Sequence, residues 1–341
     1  MVLERPINQL NLMLALAREW PVDDEIRPLF REWGYSVRAV GRKFALPISV
    51  YAALKDSVPM KIAAGPDLIL VSETKGELLE LECKTQSFGM KAVVMGAADT
   101  DELRQARTLL LLDPASLAGS LGLHKVKSGS LVYVIATESV PLQEITLEEL
   151  SSELRDHGQA PVKHWVWGLK NKEDGVYLWN VNLGEEEIRV VATTDPDWEP
   201  IRTIPFDPSI DAKDEKGVLI FSELVRQSVA VRVLEIGVGQ GVLDPVAVCR
   251  AVIPIWDFWD PECTKPVLAR AKEYIDSILA QVSKMGLRSM REKGRYLIEI
   301  PSDRVHASLT RYFASPRYWR GDIDVHMPQD GPPMFEEPTA P

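Results

Sequence analysis

The chain has 341 residues, 45% apolar and 26% charged, a balance too apolar for general disorder and expected of about two folded domains. Its net charge of −11 argues against unspecific coating of nucleic acid, and no run approaches the roughly 18 apolar residues that a membrane span needs. Three cysteines (Cys83, Cys249, Cys263) cannot build a disulfide framework, and the N-terminal apolar patch lacks the cleavage site of a signal peptide, so a cytoplasmic location is expected.

Helices are predicted over 8–19 and 22–33. In the second, Ile26, Leu29, Phe30 and Trp33 recur at helical spacing, acids open the segment and Gly34 stands where a C-cap belongs. Residues 35–40 alternate like a strand. After the looser ALPISVYAAL, the run GPDLILVSETKGELLELECKTQ reads as strand, polar turn, strand. DTDELRQARTLLL at 99–111 is a predicted helix, and SLVYVIAT at 130–137 is apolar enough to be a central strand. HWVWGLK and VYLWNVNL form a predicted hairpin around NKEDG, with Trp165, Trp167, Tyr177 and Trp179 sharing one buried face, and EIRVVATT adds a third strand. The Pro- and Asp-rich 194–215 reads as a linker. Leu268, Ala271, Ile275, Ile278, Leu279 and Val282 stripe a helix over 264–285 that Gly286 ends. The tail is Pro-rich and acidic. The expected domains are therefore 1–145, a β-rich extension at 146–205, a mostly helical accessory region at 206–326 and a disordered tail at 327–341.

Along ELLELECK, side-chain alternation puts Glu80, Glu82 and Lys84 on one face and Leu79, Leu81 and Cys83 on the other. The second face should meet the core, while the first lines up two carboxylates and an ammonium on a sheet surface. If the hairpin closes with Ser72 opposite Glu77, the numbers of facing residues sum to 149 and Asp67 faces Glu82. In a register tighter by two, Asp67 faces Glu80 instead. Either way two or three carboxylates converge within about 5–8 Å, and like charges so placed are unfavourable in a sheet. A hard divalent cation would offset the repulsion; Mg²⁺ binds through one or two carboxylates with water and phosphate. Lys84, beside them, would orient or help deprotonate a nucleophilic water, an arrangement suited to phosphodiester hydrolysis. The bland alternative is a surface hairpin in which Lys84 simply pairs with Glu82.

Pro66-Asp67, a spacer of fourteen residues and Glu82-Cys83-Lys84 resemble the PD-(D/E)XK superfamily of restriction-endonuclease-like nucleases. The resemblance covers about residues 20–140, and the element order matches the family's αβββαβ core, with a central mixed sheet in an α/β (α+β) fold. It implies that Asp67 and Glu82 bind Mg²⁺ (with Mn²⁺ as a substitute), that the Cys83 carbonyl completes the metal shell, and that Lys84 is catalytic. Gln86 extends the motif as in several branches. The helix before the first strand often supplies another acid, here Asp23, Asp24 or Glu25, and Glu80 is a further candidate. The implied activity is metal-dependent cleavage of nucleic acid, DNA favoured, in genome defence, repair or mobile-element biology. A homodimer or protein partner is compatible with it. The alternative is an inactive nuclease fold serving as a binding scaffold.

Two other segments bear on function. VLEIGVGQG at 233–241 resembles the first motif of Rossmann-like methyltransferases, with Asp257 at the distance of a ribose-binding acid. A glycine turn between packed elements explains it more simply, since the strand–helix alternation it needs does not follow. From Thr264 to Arg320 the chain carries twelve Lys and Arg against five Asp and Glu, a net of +7. Within it Arg288, Arg291, Lys293 and Arg295 are candidate phosphate contacts, interleaved with aromatic residues that stack on bases or pack in the core. His306, a lone histidine, reads as structural.

Overall fold

The computed structural model describes residues 3, 5–18, 25–89, 99–179, 181, 187–195, 198–200, 202–204 and 215–315. Asp23, Asp24, most of the expected linker and the tail at 327–341 lie outside the described residues.

The first elements are α1 (Pro6–Leu16) and α2 (Leu29–Glu32). The helix expected over 22–33 is thus much shorter. Pro28 offers no amide and disfavours helical backbone at Arg27, and the segment before it is extended: Ile26 bridges Val191, and the Arg27 amide donates to Val190 at 3.0 Å. Then come β1 (Ser36–Val40), β2 (Phe44–Ala45), α3 (Ile48–Leu54), β3 (Ala63–Ala64), β4 (Leu68–Ser72) and β5 (Glu77–Cys83). They are followed by α4 (Asp101–Leu110), capped by the Thr100 hydroxyl, and by α5 (Pro114–Ser120), capped by Asp113. Next are β6 (Ser128–Ala136), α6 (Val140–Asp156), β7 (Lys163–Lys172), β8 (Gly175–Trp179) and β9 (Glu187–Val191).

Seven of these strands form one mixed sheet in the order β1-β4-β5-β6-β7-β8-β9. β1, β4 and β5 are an antiparallel meander, β5, β6 and β7 run parallel, and β7, β8 and β9 are again antiparallel. A parallel neighbour needs a long crossover; α4 and α5 supply it between β5 and β6, and α6 between β6 and β7. Both faces of the central strands are buried, which is why β6 reads as a continuous apolar run. One face, with Ile69, Val71, Leu78, Leu131 and Tyr133, packs into a core with Leu103, Ala106, Leu147 and Leu150 of α4 and α6. On the other, Phe30 of α2 stacks on Trp167 at 6.0 Å, and α1 packs against β5.

Three expectations change here. The strands assigned to a separate extension continue the same sheet, and residue 145 lies inside α6. The aromatic hairpin does not put its four rings on one face. Its two-residue turn pairs Gly168 with Trp179, so Trp179 shares a face with Gly168 and the opposite one holds Trp167. The acid-bearing face of β5 is no solvated surface, because α4 to α6 cover it.

The remaining elements are α7 (Glu215–Ile236), β10 (Gly239–Leu243), α8 (Pro245–Val252), α9 (Pro261–Ser283), β11 (Arg288–Glu292), β12 (Arg295–Ile300) and α10 (Asp303–Ala314). The chain divides into two compact units, residues 1–225 with 245–274 and residues 226–244 with 275–341. The second contains a three-stranded antiparallel sheet in the order β10-β12-β11. Its Leu243, Tyr296, Ile298 and Ile300 are buried, as are Leu309 and Phe313 of α10 and Ile278, Leu279 and Val282 of α9. Among the described residues no helix is long and apolar enough to cross a membrane.

Candidate active site

The register of the β4–β5 hairpin decides the site. Ser72 faces Glu77 and Leu68 faces Leu81, so facing numbers sum to 149 and Asp67, one residue before β4, falls opposite Glu82. The main chain of Asp67 is fixed from β1, its carbonyl accepting from the Gly41 amide at 2.9 Å. Gly65, two residues earlier, approaches the backbone of Arg42 so closely that a Cβ would fall 2.0 Å from the Arg42 carbonyl oxygen; no other residue fits there. The Asp67 carboxylate accepts from the Cys83 amide at 2.7 Å. In an extended strand a residue's carbonyl points to the same edge as its amide, so the Cys83 carbonyl is directed to the Asp67 side.

Glu82 is buried at the carboxyl end of β5. Its Oε1 accepts from Gln105 of α4 at 2.9 Å and pairs with the Lys84 ammonium at 2.7 Å. Its Oε2 is buried and has no hydrogen-bond partner among the described residues. Burial alone would lower the Lys84 ammonium, but Glu82 and Asp67 outweigh it and hold Lys84 above its ordinary value, hence charged. The Lys84 carbonyl accepts from Gln9 of α1 at 3.0 Å, and the same Gln9 amide group donates to Leu3 at 2.8 Å. Tyr133 of β6 stands beside Glu82 in the ladder, its phenol pushed up by burial and then by Glu82, Asp67 and Glu80. Cys83 points to the opposite face and is buried, its thiol pushed well up, chiefly by burial.

The other acids do not join this pair. Glu80 is fully buried between Ile69 and Leu131, with neither oxygen hydrogen-bonded, and burial followed by the charge of Asp113 raises its carboxyl well above the usual range. It lies in the core, because α4 to α6 cover the face on which it was expected to meet solvent. Glu25 is exposed, and its carbonyl accepts from Ala192 just beyond β9, four strands along the sheet from β5. Gln86 is exposed beyond the strand end. Among the described residues no three Asp, Glu, His or Cys side chains gather to hold a metal. The two carboxylates, one with a bare buried oxygen, and the Cys83 carbonyl fit a hard cation that keeps most of its waters. Gln9 and Gln105 escaped the sequence reading. Only the helical phase of Gln105 against Leu109 hinted that it faces the sheet.

The rival motif does not form a nucleotide-binding turn. VLEI ends α7 rather than forming a strand, and GQGVL is β10. A Cβ on Gly241 would lie 2.6 Å from Ile236, so this glycine serves close packing. Asp257 pairs with Arg250 at 2.9 Å. In the basic hairpin each arginine has an acidic partner: Arg288 with Glu299 at 3.3 Å, Arg291 with Asp276 at 3.6 Å and Arg295 with Asp244 at 3.4 Å. Lys293 is exposed in the β11–β12 turn. Compared with protein-family models, curated proteins and solved structures, the chain matches none.

Proposed function

We propose that the chain is a metal-dependent nuclease of the PD-(D/E)XK kind, acting on DNA in preference to RNA. The observation that carries this reading is the Asp67–Glu82 facing pair with Lys84 on the Glu82 carboxylate, at the carboxyl end of a strand whose next two neighbours run parallel to it. Ligands of α/β sheets bind at that end. The antiparallel β1-β4-β5 meander, followed by a helix and the parallel β6, supports the αβββαβ core that the resemblance implies.

Asp67, Glu82 and the Cys83 carbonyl would hold Mg²⁺ or Mn²⁺, which when bound supplies water activation and charge screening. The residues of this chain do the rest. Lys84, ion-paired with Glu82 beside Asp67, is placed to stabilise charge developing on a phosphoryl oxygen. Gln105 fixes the Glu82 carboxylate, and Gln9 fixes the main chain of Lys84. The Lys84–Glu82 ion pair also favours a second reading, a nuclease fold that binds nucleic acid without cutting it, since an ammonium already neutralises one of the acids.

Calorimetric titration of Mn²⁺ separates the two. A nuclease site binds the ion in the parent and in Lys84→Ala and loses it in Asp67→Ala. Absence of Mn²⁺ binding to the parent would leave the scaffold.

A further inference from the structure

Among the described residues, one face of the three-stranded sheet of the second unit is uncovered. Its central cross-strand row is apolar: Val242 faces Leu297, which faces Met290, and these side chains are 55%, 36% and 60% exposed. On one side runs the row Gln240, Glu299, Arg288; on the other Asp244, Arg295, Glu292. An apolar row rimmed by charges has the layout of a small association surface, apolar at the centre and polar at the rim. We propose that this face docks a second copy of the same chain, face to face, about a two-fold axis running along the apolar row.

The charges select that axis. Rotation about it lays each apolar row on its counterpart and each flanking row on the opposite flanking row of the other copy. Arg295 then meets Glu299, Glu292 meets Arg288, and Asp244 meets the neutral Gln240; by symmetry the two charge pairs occur twice. Rotation about an axis along the strands instead sets Glu299 on Glu299, Arg295 on Arg295 and Asp244 on Glu292, a set of like charges that disfavours it. A sheet face packs aligned on another at about 10 Å. The footprint, three strands by five residues, is roughly 14 by 17 Å. This lies well below the area of a stable interface, so the dimer is weak and transient. The proposal uses the second unit alone and is independent of the nuclease reading.

Sedimentation velocity of the full chain from about 1 to about 200 µM tests it. The average mass should rise from about one chain toward two across that range. Leu297→Lys, at an exposed position, should stay monomeric throughout with unchanged Tm. Arg295→Glu and Glu299→Arg each create two like-charge contacts and should weaken association at least about tenfold. Mixed in equal amounts, they should form a heterodimer in which all four contacts are again opposite in charge. A misfolded variant would not be rescued in this way. A chain monomeric at the highest concentration, a dimer unaffected by Leu297→Lys, or a mixture no more associated than its components overturns the proposal. So does a dimer broken by Ser289→Pro and not by Leu297→Lys, which would mean pairing through the β11 edge.

Discussion

The β4–β5 hairpin and the β11–β12 hairpin both carry carboxylates among apolar residues, yet they differ in where the charges end. In β11–β12 the carboxylates and guanidiniums lie exposed and each arginine has an acidic partner. Surface pairs of this kind contribute about 0–1 kcal/mol and are screened by salt. In β4–β5 helices close over the acid-bearing face, leaving Glu80 buried without a partner and Glu82 with one bare oxygen. Buried polar atoms left unsatisfied cost about 1–3 kcal/mol each. Glu80 bears that cost away from Asp67 and Lys84, whereas the Glu82 carboxylate, with its bare oxygen, lies beside both, and this contact is the physical ground for assigning the proposed chemistry to Glu82 rather than to the basic hairpin.

The comparison can be broken most forcefully at the acids and the lysine. Asp67→Ala, Glu82→Gln and Lys84→Ala should each lower metal-dependent cleavage by about a hundredfold or more. Asp67→Ala also strands the Cys83 amide and should cost about 1–3 kcal/mol, read by denaturant unfolding. Parental cleavage by all three variants would make the hairpin merely charged structure.

Glu80 sharpens the contrast next. Its folded value is raised, so its contribution to stability is full below the ordinary carboxylate range and is lost as pH rises through the folded value. From about pH 5 upward the parent should lose about 1 kcal/mol per pH unit relative to Glu80→Gln, until the folded carboxyl itself ionises. Tm measured against pH for both proteins reads this difference; parallel curves would mean that Glu80 is solvated.

Cys83→Ala should keep activity and cost about 1 kcal/mol, since the thiol packs away from the acids. Lost cleavage at unchanged stability would show that the thiol side of the strand serves the site. The smallest effect is expected at the basic hairpin. Neutralising Arg291, Lys293 and Arg295 should barely change the salt dependence of DNA binding, because both arginines already face acids. A slope reduced by about one per side chain would move the phosphate contacts onto this sheet.

Strand pairing was legible in the sequence wherever the period of two was clean. The β4–β5 hairpin and its polar turn follow from alternation, and the apolar run of β6 announces its central place, but two registers stayed open in the sequence and only the observed pairing sets Asp67 opposite Glu82. Burial was not legible. Nothing in ELLELECK says that α4 and α6 will cover Glu80, because that depends on crossovers distant in sequence. The helix predicted over 22–33 failed at Pro28, whose local geometry outweighed a good apolar period. α6 was missed because its buried stripe is narrow, and α7 because its apolar end, VLEI, imitates a strand. Gln9 reaches Lys84 across 75 residues, a contact that no local pattern encodes.

The most direct test of the nuclease site is a cleavage assay. The full chain and its Lys84→Ala variant are incubated with labelled single-stranded, double-stranded and branched DNA and with RNA, in Mg²⁺, Mn²⁺ or EDTA. The site described here predicts cleavage of at least one DNA by the parent with either metal, none in EDTA, and none by the variant. An intact substrate panel in every metal, or equal cleavage by the variant, would contradict it.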